Sequence, residues 1–447
     1  MRTVLHVVVD CCRLFVSVVF AHFLSFAIVV TTHNTLLHYT YYFVFIFLTH
    51  STLCARAHSP LGGTVVLPNS GLFGRFRSTI MYYLRCAENF TQETLMGSFT
   101  SSVKIDNEDS QDKDLTFENL VTYQQLLEYC RTHNNQWPNS QLIKRTFTSI
   151  PYDPDSVDGN PVRVLQWNVL SQALGQNNDR FDSCPLEALE WKHRRCHMLE
   201  EILRHNPDVI CLQEVDHFDF LSRALATQSY SGLFVPKPDS PCVYINDNNG
   251  PDGCAIFYKN DKFDLLEKHD KVLQVWTVHS NQVSLLLILK DKSTQKELCV
   301  STTHLKARKG ALLSTLRNEQ GKDLLQFISS HAAGRPTIVC GDFNAEPTEP
   351  VYSTMCSCSY LPLDSAYKLS GSEPPYTSWK IRGGEGEVMH TIDYMFYTKH
   401  KLTVSNILDM PKEIDIGENR VPSMAYPSDH FSLISDFYFN SNTSVCE

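Results

Sequence analysis

Residues 163–214 read as one strand–helix–strand unit, and that unit limits the fold more than any other stretch of the chain. Arg163-Val164-Leu165-Gln166-Trp167-Asn168-Val169-Leu170 has the apolar density of a strand that ends at or near Asn168. Pro185 then opens a helical pattern in which Leu186, Leu189, Cys196, Leu199, Ile202 and Leu203 share one apolar face. His205-Asn206-Pro207 stops it, since proline has no amide hydrogen to continue the ladder. Asp208-Val209-Ile210-Cys211-Leu212-Gln213-Glu214 is the next strand and finishes on a carboxylate. Strands joined through a crossover helix pair in parallel, so Asn168 and Glu214 are expected at one edge of one sheet. Taken alone, Glu214 is better explained as a solvated strand end.

The pattern recurs downstream. Glu297-Leu298-Cys299-Val300-Ser301-Thr302-Thr303-His304 is a strand ending on His304, with Lys306, Arg308 and Lys309 behind it. Pro336-Thr337-Ile338-Val339-Cys340 reads as a short buried strand that Gly341 breaks, and Asp342 and Asn344 follow at i and i+2. A hard anionic oxygen beside an amide suits a magnesium-assisted phosphoryl or phosphodiester reaction. A Gly-Asp turn with an Asn cap would look the same. His390-Thr391-Ile392-Asp393-Tyr394-Met395-Phe396-Tyr397 is strand-like with Asp393 on its polar side, and Pro427-Ser428-Asp429-His430 precedes the apolar run Phe431-Ser432-Leu433-Ile434. Each motif is weak alone. Together they put polar groups at strand end after strand end of an α/β chain, where ligands of such sheets collect.

Charge narrows the partner. The chain has 447 residues and a net charge of -10, which argues against general nucleic-acid binding. An anionic substrate must therefore meet a local basic patch. Between Glu297 and Glu319 there is no acid, so Lys306, Arg308 and Lys309 form one, although an exposed helix start would look alike. The 15 cysteines contain no C-x-x-C pair and read as reduced intracellular thiols.

The domain of interest is expected at 162–440, with a tail at 441–447. Residues 61–161 read as a polar, partly disordered bridge with a short helix near Leu120 to Cys130 and a turn-rich linker from Pro151 to Pro161. Residues 1–60 are apolar and acid-poor, with an uncharged run from Leu14 to Val30. A membrane-associated segment, an isoform-specific extension and an organelle leader all fit, and the leader is preferred. The expected location is therefore cytoplasm, mitochondrion or both.

In that order the motifs Gln166-Trp167-Asn168, Leu212-Gln213-Glu214, Thr303-His304, Gly341-Asp342-Phe343-Asn344, Ile392-Asp393-Tyr394 and Ser428-Asp429-His430 resemble the endonuclease/exonuclease/phosphatase superfamily. The resemblance runs from about Val162 to Phe437 and implies a DNase I-like α/β fold. That fold is a four-layer sandwich of two packed mixed β-sheets flanked by helices. Longer segments, among them 211–217, 249–254, 303–308, 341–349 and 372–382, resemble one branch related to poly(A) deadenylases. That branch implies a Mg²⁺-dependent hydrolase that removes the 2′-phosphate of NADP⁺ and NADPH to give NAD⁺ and NADH.

The same resemblance assigns roles. Glu214 would be the main Mg²⁺ ligand, assisted by Asn168 and by Asp342 and Asn344. Asp342 would orient or deprotonate the attacking water. His304 and His430, the latter held by Asp393, would bind phosphate oxygens, and Lys237, Lys306, Arg308 and Arg382 would clamp the substrate. Asp239 departs from the pattern, standing where an aromatic is expected. Two other readings stay open: a 3′-exoribonuclease acting on poly(A), and a catalytically silent RNA-regulatory binding protein. No obligate protein partner is expected. A long polyanion needs an extended basic groove with stacking aromatics, whereas cations clustered at one strand end favour a compact dinucleotide.

Overall fold

The structure, a computed structural model, describes residues 117, 120 and 122–441 apart from 178, 247, 369 and 370. The chain divides between Thr100 and Ser101, and every described residue belongs to the second unit. The expected leader and nearly all of the expected tail lie outside the described residues.

In chain order the strands are β1 (Phe147–Ser149), β2 (Val157–Asn168), β3 (Val209–Val215), β4 (Tyr230–Pro236), β5 (Gly253–Lys259), β6 (Phe263–Val275), β7 (Val278–Asp291), β8 (Glu297–His304), β9 (Thr337–Asp342), β10 (Asp364–Ser365), β11 (Ser378–Arg382), β12 (Gly386–His390), β13 (Asp393–Tyr397), β14 (Leu402–Leu408) and β15 (Leu433–Asn440). The helices used below are α1 (Tyr123–Asn134), α2 (Trp191–His205), α3 (Phe218–Ala226), α4 (Ala311–Ala332) and α5 (Pro350–Cys356). One sheet has seven strands in the order β1-β14-β15-β2-β3-β5-β4; the other has six, β10-β13-β9-β8-β7-β6. β11 and β12 form a separate hairpin. Each large sheet contains one parallel pair, β2 with β3 and β8 with β9.

The central strands are apolar on both faces because both faces are covered. In β3, Val209 and Cys211 point into a core shared with Leu285, Leu287, Val300, Ile338 and Cys340 of the other sheet. Ile210 and Leu212 point the other way, onto Leu199, Ile202 and Leu203 of α2 and Leu221 of α3. Val339 of β9 faces Leu324, Leu325 and Ile328 of α4. The layers are thus helix, sheet, sheet, helix, as expected for this sandwich. Alternation along one strand divides its side chains between two cores, which explains why β3 and β9 read as unbroken hydrophobic runs.

Three local readings change. The expected helix after Pro185 breaks at Glu190, whose ψ of 136° is extended, so a short turn at Leu186–Leu189 precedes α2. Gly341 does not end its strand. β9 runs on through Asp342, and glycine is required there because a Cβ would come within 2.5 Å of the Thr303 carbonyl oxygen on β8. The run expected as one strand over His390–Tyr397 divides: β12 ends at His390 and β13 begins at Asp393, which is buried.

The boundary expected at residue 162 also moves. α1 begins at a capping box between Thr122 and Gln125 and buries Leu126, Leu127 and Cys130 in the core beneath α2. Leu142 and Ile143 join that core, β1 pairs with β14, and β2 starts at Val157. The short helix expected near Leu120 to Cys130 is thus present as α1; its packing onto the domain was not expected, because few apolar positions mark it in a polar stretch. Deleting everything before residue 155 removes these five side chains, each worth roughly 1.5–3 kcal/mol of burial. Such a chain is expected to melt roughly 10 °C or more below the full chain in a thermal scan. An unchanged transition would show that the segment is a passenger.

Candidate active site

The parallel pairs bring the motifs together. In β2 and β3, Asn168 lies opposite Gln213, which puts Glu214 one residue beyond it at the same edge. In β8 and β9, His304 lies opposite Asp342, and Asp342 also lies opposite Asp393 of the antiparallel β13. One amide joins the two sheets: Asn168 Nδ2 donates to Glu214 Oε1 at 3.0 Å and to Asp342 Oδ2 at 2.9 Å. The Ser171 amide donates to Glu214 Oε2 at 3.1 Å.

Both acidic strand ends carry backbone strain. Glu214 has φ of 56° and Asn344 has φ of 49°, a region that side chains other than glycine enter rarely and that clusters at functional sites. At Glu214 the cause is visible, because the β3–β5 register slips between Leu212 and Val215. The bulge turns Glu214 out of the ladder toward Asn168. The Asn344 amide nitrogen meets His304 Nε2 at 2.9 Å and donates to the Leu305 carbonyl at 3.1 Å.

His430 completes the group from the segment before β15. Its Nδ1 lies 2.8 Å from Asp393 Oδ2, and its Nε2 lies 3.8 Å from Asp342 Oδ2 and 3.7 Å from Asp429 Oδ2. Burial works against its charge, but Asp393 and Asp429 outweigh burial and push it up to about 9. Burial, followed by the Asp393 charge, raises the Asp342 carboxyl to about 6 despite His430 and the Asn168 amide. His304 is held neutral: burial first, then the Lys237 and His430 charges, lower it well below the usual histidine range. Two neighbouring groups are thereby poised on either side of neutrality, which is what acid–base chemistry at pH 7 requires.

The expected clamp residues divide into two kinds. Lys237 is buried, pairs with Asp252 at 2.6 Å and lies 3.4 Å from His304 Nδ1. Arg382 is partly buried, with Nη2 at 3.4 Å from both Asp179 and Asp429 and its Nε without a partner. Lys306 and Arg308 are instead exposed, on the loop leaving β8. Asp239 accepts a hydrogen bond from the Tyr244 hydroxyl at 2.7 Å, so an aromatic ring is tethered to this position from five residues along.

Several residues of the site carried no assignment from the sequence. Lys380 is buried, 2.5 Å from Asp429 and 3.5 Å from His430 Nε2. Its signal was present: it precedes Arg382 by two residues on β11 and so shares a face with it. Asp429 was quoted in a motif but given no role. Burial opposes its charge, but Lys380, His430 and Arg382 together hold it well below the usual carboxylate range. Arg194 of α2 is fully buried and donates to Pro427 O at 2.7 Å, Gln172 Oε1 at 2.9 Å, Val169 O at 2.6 Å and also Leu170 O. It ties the loop after Asn168 to the segment before His430. A helix-face arginine gives no such hint in sequence.

Two sets of side chains could hold a cation. Asp342, Asp393 and His430 offer ligand atoms within 4.8 Å of one another. His430 Nδ1 is already engaged by Asp393 at 2.8 Å, so in this trio Asp393 serves to orient the imidazole. Glu214 and Asp342, bridged by Asn168, offer the hard oxygens that a Mg²⁺-like ion requires. The residues present fit the metal that the sequence implied.

These features define a two-sheet α/β sandwich of the hydrolase class, with a site that could hold a divalent metal. The profile of the Endonuclease/Exonuclease/phosphatase family matches residues 165–430, and the chain belongs to that family, in its nocturnin branch. Nocturnin of Drosophila melanogaster is 48% identical over 385 residues, 76% of this chain. The chain spans 60% of that fly protein's length. Nocturnin of Homo sapiens is 48% identical over 326 residues, covering 71% of this chain and 74% of the human protein. The structure of the human nocturnin catalytic domain with bound sulfate anion is similar with a TM-score of 0.55 and 43% identity, covering 66% of this chain and 97% of that one.

Proposed function

We propose that the protein is a Mg²⁺-dependent phosphohydrolase that removes the 2′-phosphate of NADP⁺ and NADPH. The observation that carries this reading is the placement of charge. In a chain of net charge -10, Lys237 lies against His304, Lys380 against His430 and Arg382 against Asp429, and Lys306 and Arg308 leave the same strand end as His304. Such a cluster fits one terminal phosphate on a compact molecule. The sulfate bound by the human relative agrees with an anion site of this kind.

Glu214, Asp342 and Asn168 would hold the Mg²⁺. When bound, that ion supplies positive charge against the phosphoryl oxygens. Asp342, kept ionised beside that positive charge, would take a proton from the attacking water. The water oxygen bonds to phosphorus while the bond from phosphorus to the ribose 2′-oxygen breaks, and that oxygen takes a proton from solvent to leave as the hydroxyl, Asp342 later returning its own proton to solvent. Protonated His430, Lys380 and Arg382 stabilise the charge that builds on the phosphoryl group.

The test is phosphate release by the full chain in Mg²⁺, with NADPH and oligo(A) side by side. Release from NADPH with oligo(A) intact is the expected result. Shortening of oligo(A) with NADPH untouched would replace this reading with a 3′-exoribonuclease, and no turnover of either would favour the silent RNA-binding alternative. The Lys306→Ala/Arg308→Ala double variant is expected to raise KM for NADPH roughly 10- to 100-fold, since each charge-assisted contact is worth about 1.5 kcal/mol or more. Equal loss on both substrates would count against a dedicated dinucleotide pocket.

A further inference from the structure

We propose that Arg317 and Glu349 form a brace that presents the Lys306–Arg308 loop to the substrate's phosphate. Arg317, on α4, is 1% exposed, so its charge is committed inside the protein. Its Nη2 donates to the two Glu349 oxygens at 2.8 and 2.7 Å, and its Nε donates to Glu349 Oε2 at 3.1 Å. The remaining Nη1 donates to the carbonyls of Lys306 at 3.0 Å and Arg308 at 2.8 Å. The guanidinium therefore grips the backbone of both clamp residues while their side chains stay exposed.

The loop is held at further points. Gln320 Oε1 accepts from the Lys306 amide at 3.1 Å, and Asn344 Nδ2 donates to the Leu305 carbonyl. Arg308 is kept at φ of 80°, a conformation that a loop without such restraints would relax. Glu349 occupies the position that caps α5, yet makes no side-chain cap bond there; its carboxylate is turned to Arg317 instead. It also ends the segment that begins with Asp342 and Asn344. The brace thus links the segment carrying the catalytic carboxylate to the loop carrying the exposed cations.

Preorganised cations bind phosphate without paying ordering entropy at that moment, so the brace governs KM. Arg317 and Glu349 touch no reacting atom and are positioning residues. The inference rests on the clamp reading of Lys306 and Arg308, and the test separates the two. Arg317→Lys and Glu349→Gln are made in the full chain, alone and on the Lys306→Ala/Arg308→Ala background, with NADPH as substrate. Each single variant is expected to raise KM roughly 5- to 20-fold with kcat within about twofold, since slight misplacement of a binding group has effects of this order. On the clamp-less background each is expected to add nothing, which general destabilisation would not produce. Should Arg317→Lys fail to fold, the isosteric Glu349→Gln supplies the same comparison. A raised KM in the double variant with normal KM in both brace variants overturns the brace alone. Additive effects, or a loss confined to kcat, overturn it too. An unchanged KM in the Lys306/Arg308 double variant overturns the clamp and the brace together.

Discussion

Glu214→Gln is expected to lower kcat on NADPH by roughly three orders of magnitude while the melting temperature stays within a few degrees of the parent. Glutamine keeps the shape and an oxygen for the Ser171 amide but removes the negative charge that would hold the metal. A bound cation contributes several kcal/mol to stabilising a phosphoryl transition state, and each 1.4 kcal/mol is tenfold in rate. The fold should tolerate the change, because Glu214 is partly exposed and its backbone strain is the same for either residue. Steady-state rates over a Mg²⁺ titration, beside a thermal scan, decide the matter. A variant within tenfold of the parent rate would remove Glu214 from the metal site.

The second large effect is expected from Asp393→Asn. Asp393 is the chief group that keeps His430 protonated up to about 9. In the parent, activity should hold through neutral pH and fall as His430 loses its proton near pH 9. With asparagine the alkaline limb should move down by more than one pH unit, and the rate at pH 8 should drop at least tenfold. The stability effect has a definite sign. A histidine whose pKa is raised by folding contributes stability fully below its unfolded value, about 6.5, and loses that contribution as pH rises through about 9. Denaturant melts should therefore show parent and variant furthest apart at pH 6 and closer at pH 10. A profile whose alkaline limb does not move would mean that Asp393 does not set the charge of His430.

Much of this was legible in the chain because strands advertise themselves. Asn168, Glu214, His304 and Asp342 were read at the polar ends of apolar runs and Asp393 on the polar side of another, and parallel pairing follows from the crossovers between strands. Lys380 and Asp429 were not assigned because a charged residue is normally read as solvated, and only the fold shows that each is buried to neutralise the other. Arg194 and Arg317 act through backbone carbonyls of distant loops, contacts that leave no local pattern. The packing of α1 and of Leu142 and Ile143 onto the core was not expected for a different reason: they contribute a few apolar contacts within a polar stretch. Gly341 was read as a breaker, whereas the demand on it comes from a neighbouring strand that the sequence does not place.

The Asn168 amide has one more implication. Its two hydrogen bonds go to carboxylates supported by different sheets, Glu214 on one and Asp342 on the other. The separation of the reacting groups is therefore a readout of how far apart the sheets lie, and the core between them includes the buried Cys211 and Cys340. Catalysis here is tuned by calliper: thickening or thinning the core by one methyl group should register in the turnover rate before it registers in unfolding.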